Sequence, residues 1–227
     1  TYPEGGVGPE PLTWIGQTAD ANADGTVRFS YRSRHFTTAN GTWGYAPKTT
    51  QEYSFGAAAL FERNDYGDDY MKNRTPWPRS PEDSNNLFDD MGAFLRDAFG
   101  FAKSLAIKTC LGTETPLAIP TPLKARLKEQ GKDPADINVV RQLYEGMFTR
   151  IARTHPLDYY WFWTPEGWTW GGISDAEVAT TFKDIEAAID AAKNVKASFT
   201  LATCGWVLGP PKDRAQFDKV FPRDMPL

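Results

Sequence analysis

The chain has 227 residues, a net charge of −4, and 14% aromatic residues that include eight tryptophans. That length is enough for one large domain with a substantial buried core. The mild acidity, with no Lys/Arg-rich run anywhere, argues against nucleic acid or an anionic membrane surface as a partner, and no apolar stretch approaches the ~18 residues that a spanning helix needs.

Residues 1–50, the first part of an N-terminal stretch that runs to residue 84, are rich in Gly, Thr and Asn and show little helical periodicity. Thr26-Val27-Arg28-Phe29-Ser30-Tyr31-Arg32 alternates apolar and polar residues, the pattern of a half-buried strand, and Asn40-Gly41 reads as a tight turn. Residues 51–62, with Tyr53, Phe55, Leu60 and Phe61, suggest a second and more buried strand. The polar loop from Asn64 to Tyr70 follows, and Pro76, Pro78 and Pro81 keep the next stretch irregular. This first part is expected to be irregular and β-containing, with long loops and short strands.

From residue 85 to 227 the pattern becomes one of repeated helix–strand units. Leu87, Met91, Phe94, Leu95, Ala98, Ala102 and Leu105 recur at helical spacing, which predicts an amphipathic helix ahead of a strand at 107–111. That strand leads into Gly112-Thr113-Glu114-Thr115-Pro116. A second helix runs through Val140, Leu143, Met147, Phe148 and Ile151 and stops near His155-Pro156. The aromatic strand at 158–163 then runs into Thr164-Pro165-Glu166-Gly167-Trp168. Ser174-Asp175-Ala176-Glu177 is a capping box for a third helix through Val178, Phe182, Ile185, Ile189 and Ala192. A strand at 199–204 ends in Gly205-Trp206, and a short helix is expected at 214–220.

Nearly all-apolar strands separated by helices predict a parallel α/β sheet. No G-x-G-x-x-G or Walker loop marks a nucleotide-binding doubly wound sheet. Polar residues end all three strands, as they do at the catalytic face of a TIM-type (β/α) barrel. The expected fold is therefore such a barrel, incomplete in this chain and covering about strands 1–5. Thr1 is not a methionine and the barrel stops short, so the chain reads as a fragment, with the remainder of the same enzyme as its natural partner.

Glu166 is the leading candidate for a catalytic acid/base. It follows an apolar strand and stands among Trp163, Trp168 and Trp170, where poor solvation raises a carboxyl pKa. The plainer alternative is a loop carboxylate that pairs with an arginine or caps a helix. Glu114 holds the equivalent place one strand earlier; neighbouring strands would bring the two carboxyls to roughly 5–9 Å, the range of glycosidase pairs. Its alternative is to bind a sugar hydroxyl or cap the following segment. Trp163, Trp168, Trp170 and Trp206 are candidate sugar-stacking platforms, with a lid on the rim as the other role for Trp206. Asp65 and Tyr66 are candidate hydrogen-bonding partners of sugar hydroxyls, and Arg34 and His35 of an acidic sugar's carboxylate; a solvated loop and an exposed strand face are the bland readings. Cys110 and Cys204 read as two buried free thiols, with one disulfide as the alternative, and two well-separated His and two Cys form no zinc pattern. No metal and no cofactor is implied.

The run Trp161-Phe162-Trp163-Thr164-Pro165-Glu166-Gly167-Trp168 resembles the (β/α)-barrel glycoside hydrolases. Many of these carry their acid/base glutamate at the end of the fourth strand, and two strands ahead of residue 84 would place Glu166 there. The common Asn-Glu-Pro is replaced by Thr-Pro ahead of the glutamate, so the asparagine that contacts the sugar 2-hydroxyl is absent. The seventh strand, source of the usual nucleophile, is not reached. The resemblance spans roughly residues 85–210 and implies only the acid/base role of Glu166. The expected function is a glycoside hydrolase acting on a polysaccharide or oligosaccharide, bacterial and secreted or periplasmic. A barrel domain that binds carbohydrate without cleaving it, or another barrel enzyme such as a lyase or isomerase, fits the same residues.

Overall fold

A computed structural model describes residues 14–31, 80–165, 168, 173–203 and 219–226. Among them are four α-helices: α1 (Pro81–Ser104), α2 (Thr121–Glu129), α3 (Ile137–Thr154) and α4 (Asp175–Asn194). Three strands, β1 (Cys110–Glu114), β2 (Tyr159–Trp163) and β3 (Thr200–Thr203), alternate with them.

The helix starts follow from capping chemistry. The Ser80 hydroxyl accepts the Asp83 N–H at 3.0 Å while the Asp83 carboxylate accepts the Ser80 N–H at 3.1 Å. Pro81 sits in the first turn, where its missing N–H costs nothing, so this proline opens a helix that the sequence pattern begins only at residue 85. Ser174 and Glu177 close the same reciprocal box on α4, as their spacing predicts. Helix α2 buries only Leu123 and Leu127, one turn apart, too short a pattern to be read from the sequence.

The strands are parallel and lie in the order β1-β2-β3. At their N-terminal ends Asp158 acts as a clasp. Its carboxylate accepts the Thr109 N–H at 2.9 Å and the Thr109 hydroxyl at 3.1 Å, with Lys108 Nζ at 3.2 Å. That anchor sets the start of β1 three residues beyond the sequence expectation and leaves Ile107 exposed. One sheet face packs on the helices: Phe148 of α3 meets Tyr160 edge-on at 4.9 Å and Phe199 at 5.3 Å. α3 and α4 pack side by side along this layer.

The expected TIM-type barrel is corrected by this sheet. Three strands form one small open sheet among the described residues, and it does not close. Parallel strands in sequential order with helical crossovers are common to barrels and open sheets, and polar strand ends are too. Closure demands further strands pairing with the outer edges of β1 and β3, which local pattern cannot reveal. The strand expected at 26–32 is likewise not formed over residues 26–31: Val27 makes one isolated antiparallel bridge to Ala21. Its backbone donors are used elsewhere, Val27 N–H on the Asp89 carboxylate and Arg28 N–H on the Asp20 carbonyl. The strand expected at 51–62 lies outside the described residues, as do residues 214–218 of the short helix expected at 214–220, whose last two residues are helical.

Residues 14–31 plug the helical layer instead. Trp14, Ile15, Val27 and Tyr31 are buried, and Asp20 forms a two-pronged ion pair with Arg126 of α2 at 2.8 Å for each prong. Arg150 of α3, 1% exposed, donates to the carbonyls of Gly25 and Phe88 and so ties the plug to α1. Gly146 of α3 admits the plug's backbone: a Cβ there would stand 1.9 Å from the Gly16 carbonyl oxygen.

Candidate functional site at the C-terminal edge of the sheet

In a parallel sheet, residues in register point to the same side. Leu111, Tyr160 and Leu201 form one row facing the helices, and Thr113, Phe162 and Thr203 form the next. The opposite face carries Gly112, Trp161 and Ala202 in one row, with Glu114 beside Trp163 above it. A Cβ on Gly112 would lie 1.8 Å from Trp161 Cδ1, so the indole of Trp161 extends across β1 in the space a side chain would take. The Trp161 and Trp163 rings follow each other at 4.8 Å with a 41° tilt. Trp161 is half-buried, whereas Trp163 is only 5% exposed. The face away from the helices therefore carries the half-buried Trp161 indole, with the buried Trp163 ring beside Glu114 above it.

Both strand ends at this edge are pinned. Thr115 N–H and the Thr115 hydroxyl both donate to the Trp163 carbonyl, and the Thr203 hydroxyl donates to the Phe162 carbonyl at 3.1 Å. Two residues past Thr115, the Leu117 N–H donates at 3.0 Å to Asp184 of α4, whose other oxygen accepts the Tyr144 hydroxyl at 2.6 Å. Burial pushes the Asp184 carboxyl up to about 6 against the pull of those two hydrogen bonds. The same burial, with the Asp184 charge beside it, lifts the Tyr144 phenol well above its ordinary value. Asp184 thus holds the loop leaving Glu114 against the helical layer.

Beyond the edge, Pro116, Pro165, Trp168, Glu177, Thr180 and Thr181 enclose a hollow of about 500 Å³. Trp168 closes a turn by donating its N–H to the Pro165 carbonyl. A larger hollow of about 860 Å³ lies among α2, α3 and α4. Its cations Lys124, Lys128, Arg141 and Lys183 are interspersed with Asp133, Asp184, Glu186 and Asp190, so it selects no charge.

Of the residues expected to carry chemistry, Glu114 and Trp163 are in register at adjacent strand ends, and Trp168 lines the hollow beyond them. Glu166, Trp170, Trp206, Asp65, Tyr66, Arg34 and His35 lie outside the described residues, as does Cys204. Cys110 is a free thiol, half-buried, and burial raises its pKa. Sequence reasoning missed Trp161, Gly112 and Asp184. Asp184 did leave a signal: it lies three residues from both Thr181 and Ala187, inside the apolar stripe of α4. No group of three or more His, Cys, Asp or Glu able to hold a metal occurs among the described residues, and no described helix is long and apolar enough to cross a membrane. Compared with protein-family models, with curated proteins and with solved structures, the chain gives no match.

Proposed function

We propose that this chain acts on carbohydrate as a glycoside hydrolase, with its chemistry at the C-terminal edge of the three-stranded sheet. The observation that carries the reading is the pairing of Glu114 with Trp163 at adjacent strand ends, above the half-buried indole of Trp161. An aromatic face stacks on the C–H face of a pyranose, and a carboxyl beside it is placed to exchange a proton with a glycosidic oxygen or to bind a hydroxyl. Open α/β sheets bind their ligands outside the carboxyl ends of the strands, which is where these groups stand. Glu166 follows Trp163 by three residues and is the second carboxyl of the reading. Two carboxyls divide the work as acid and as nucleophile or base.

The test is hydrolysis of a panel of polysaccharides and aryl glycosides by the wild type, Glu114→Gln and Glu166→Gln, with oligosaccharide binding measured in parallel. Each variant is expected to lose about a hundredfold or more in kcat while retaining binding. Binding without hydrolysis by the wild type would make the chain a carbohydrate-binding protein; neither would sink the reading.

A further inference from the structure

Helix α1 has two apolar faces. Phe88, Gly92 and Leu95 turn inward and are buried. Leu87, Met91, Phe94, Ala98, Phe101 and Leu105 make the second, advancing by alternating steps of four and three residues, the spacing of a helix–helix seam. Its C-terminal half is bare: Phe94 is 63% exposed, Phe101 68% and Leu105 56%, and Ile107 just beyond is 54% exposed. Three of these lie along one side of the helix end and Ile107 follows it in the chain, and large apolar side chains exposed in such a group are of the kind that marks an interaction surface.

The edges of this seam differ. One borders the protein's own core through Phe88 and Leu95. The other carries Asp90 and Asp97, one heptad apart and both exposed, with Asp97 paired only to its neighbour Arg96 at 3.4 Å in an open surface contact. An antiparallel second copy would set the aspartate edges against each other, which like charges oppose. We infer that the outward seam of α1 docks an amphipathic helix of a partner protein whose own apolar seam is flanked by lysine or arginine.

The probe is a synthetic helical peptide several heptads long, leucine at its seam positions and lysine at the flanking ones, labelled for fluorescence anisotropy against the full chain. Its counterpart carries glutamate at the flanks. The lysine peptide is expected to bind more tightly by about tenfold, the yield of two exposed ion pairs. Phe94→Ser with Phe101→Ser should abolish binding, and Asp90→Lys with Asp97→Lys should reverse the preference. Equal affinities, or no binding by either peptide, would overturn the inference. So would self-association in sedimentation that the double serine variant removes, because the occupant would then be a second copy. A large fall in melting temperature of the serine variant would also overturn it, because the chain itself would then cover the seam.

Discussion

Thr115 places both its backbone N–H and its hydroxyl on one acceptor, the carbonyl oxygen of Trp163, at 2.8 and 2.9 Å. The ladder between β1 and β2 is thereby extended one residue past Glu114, and the carboxylate is held at the level of Trp163. Valine at 115 keeps the shape and the N–H bond but removes the hydroxyl. Thr115→Val is expected to cost about 1 kcal/mol in urea unfolding. On the glycosidase reading it also lowers kcat through the misplaced Glu114. An unchanged midpoint would show that the second bond adds nothing.

Gly112 is required by Trp161 rather than by its own backbone. Alanine there would drive a methyl into the indole, and β2 gives the ring no free path because Trp163 follows at 4.8 Å. Gly112→Ala should destabilise the fold by about 1–3 kcal/mol and shift tryptophan emission as Trp161 is displaced. Emission identical to wild type would mean that the ring already lies elsewhere.

His155 and Asp184 oppose each other in their response to acid. Burial, with the Arg150 charge, lowers the His155 pKa from 6.5 to about 4, so the folded state resists a proton that the unfolded chain accepts. Stability from this group is full above pH 6.5 and is lost as pH falls towards 4, by about 3 kcal/mol. Asp184, raised from 3.8 to about 6, works in reverse: the folded state holds the proton more tightly, so its contribution grows as pH falls through 6 towards 4, by a similar amount. Asp184→Asn should therefore unmask a steep loss of stability below pH 6.5. His155→Phe should leave the protein more stable at pH 4.5 than at pH 6.5. Melting temperatures across this range decide it, and parallel curves for the three proteins would refute the pairing.

The Asp20–Arg126 pair joins the plug to α2, with Asp20 nearly buried and the guanidinium 4.0 Å above the Phe29 ring. Arg126→Met keeps the stem but strands a buried carboxylate. The expected cost is about 2 kcal/mol, between that of a surface pair and that of a fully buried one. Limited proteolysis should then cut first within residues 14–31; an unaltered digestion pattern would show that the plug is held by its apolar residues alone.

What the sequence disclosed was local chemistry. Ser174-Asp175-Ala176-Glu177 announced α4, His155-Pro156 announced the end of α3, and the aromatic run announced β2. Glu114 was visible because a polar residue ended an apolar run. What stayed hidden depends on partners distant in the chain. Residues 87–105 offer two apolar faces, and periodicity alone merged Phe94, Leu95 and Leu105 into one stripe and passed over Phe88, whereas packing buries Phe88 and Leu95 and leaves Phe94 and Leu105 exposed. Val27 looked strand-like until its N–H was taken by Asp89, 62 residues away. Trp161 gained its place only from the register with Gly112, and an open sheet differs from a closed one only in strands that neither β1 nor β3 specifies.

The plug has a consequence for the order of events during synthesis. Asp20 meets its partner 106 residues later, and the Gly25 carbonyl meets Arg150 125 residues later. At about 5–20 residues per second, Trp14 and Ile15 emerge on the order of ten seconds before α2 and α3 exist to cover them. Such distant closures slow folding, and an apolar segment left unsheltered meanwhile invites association between nascent chains.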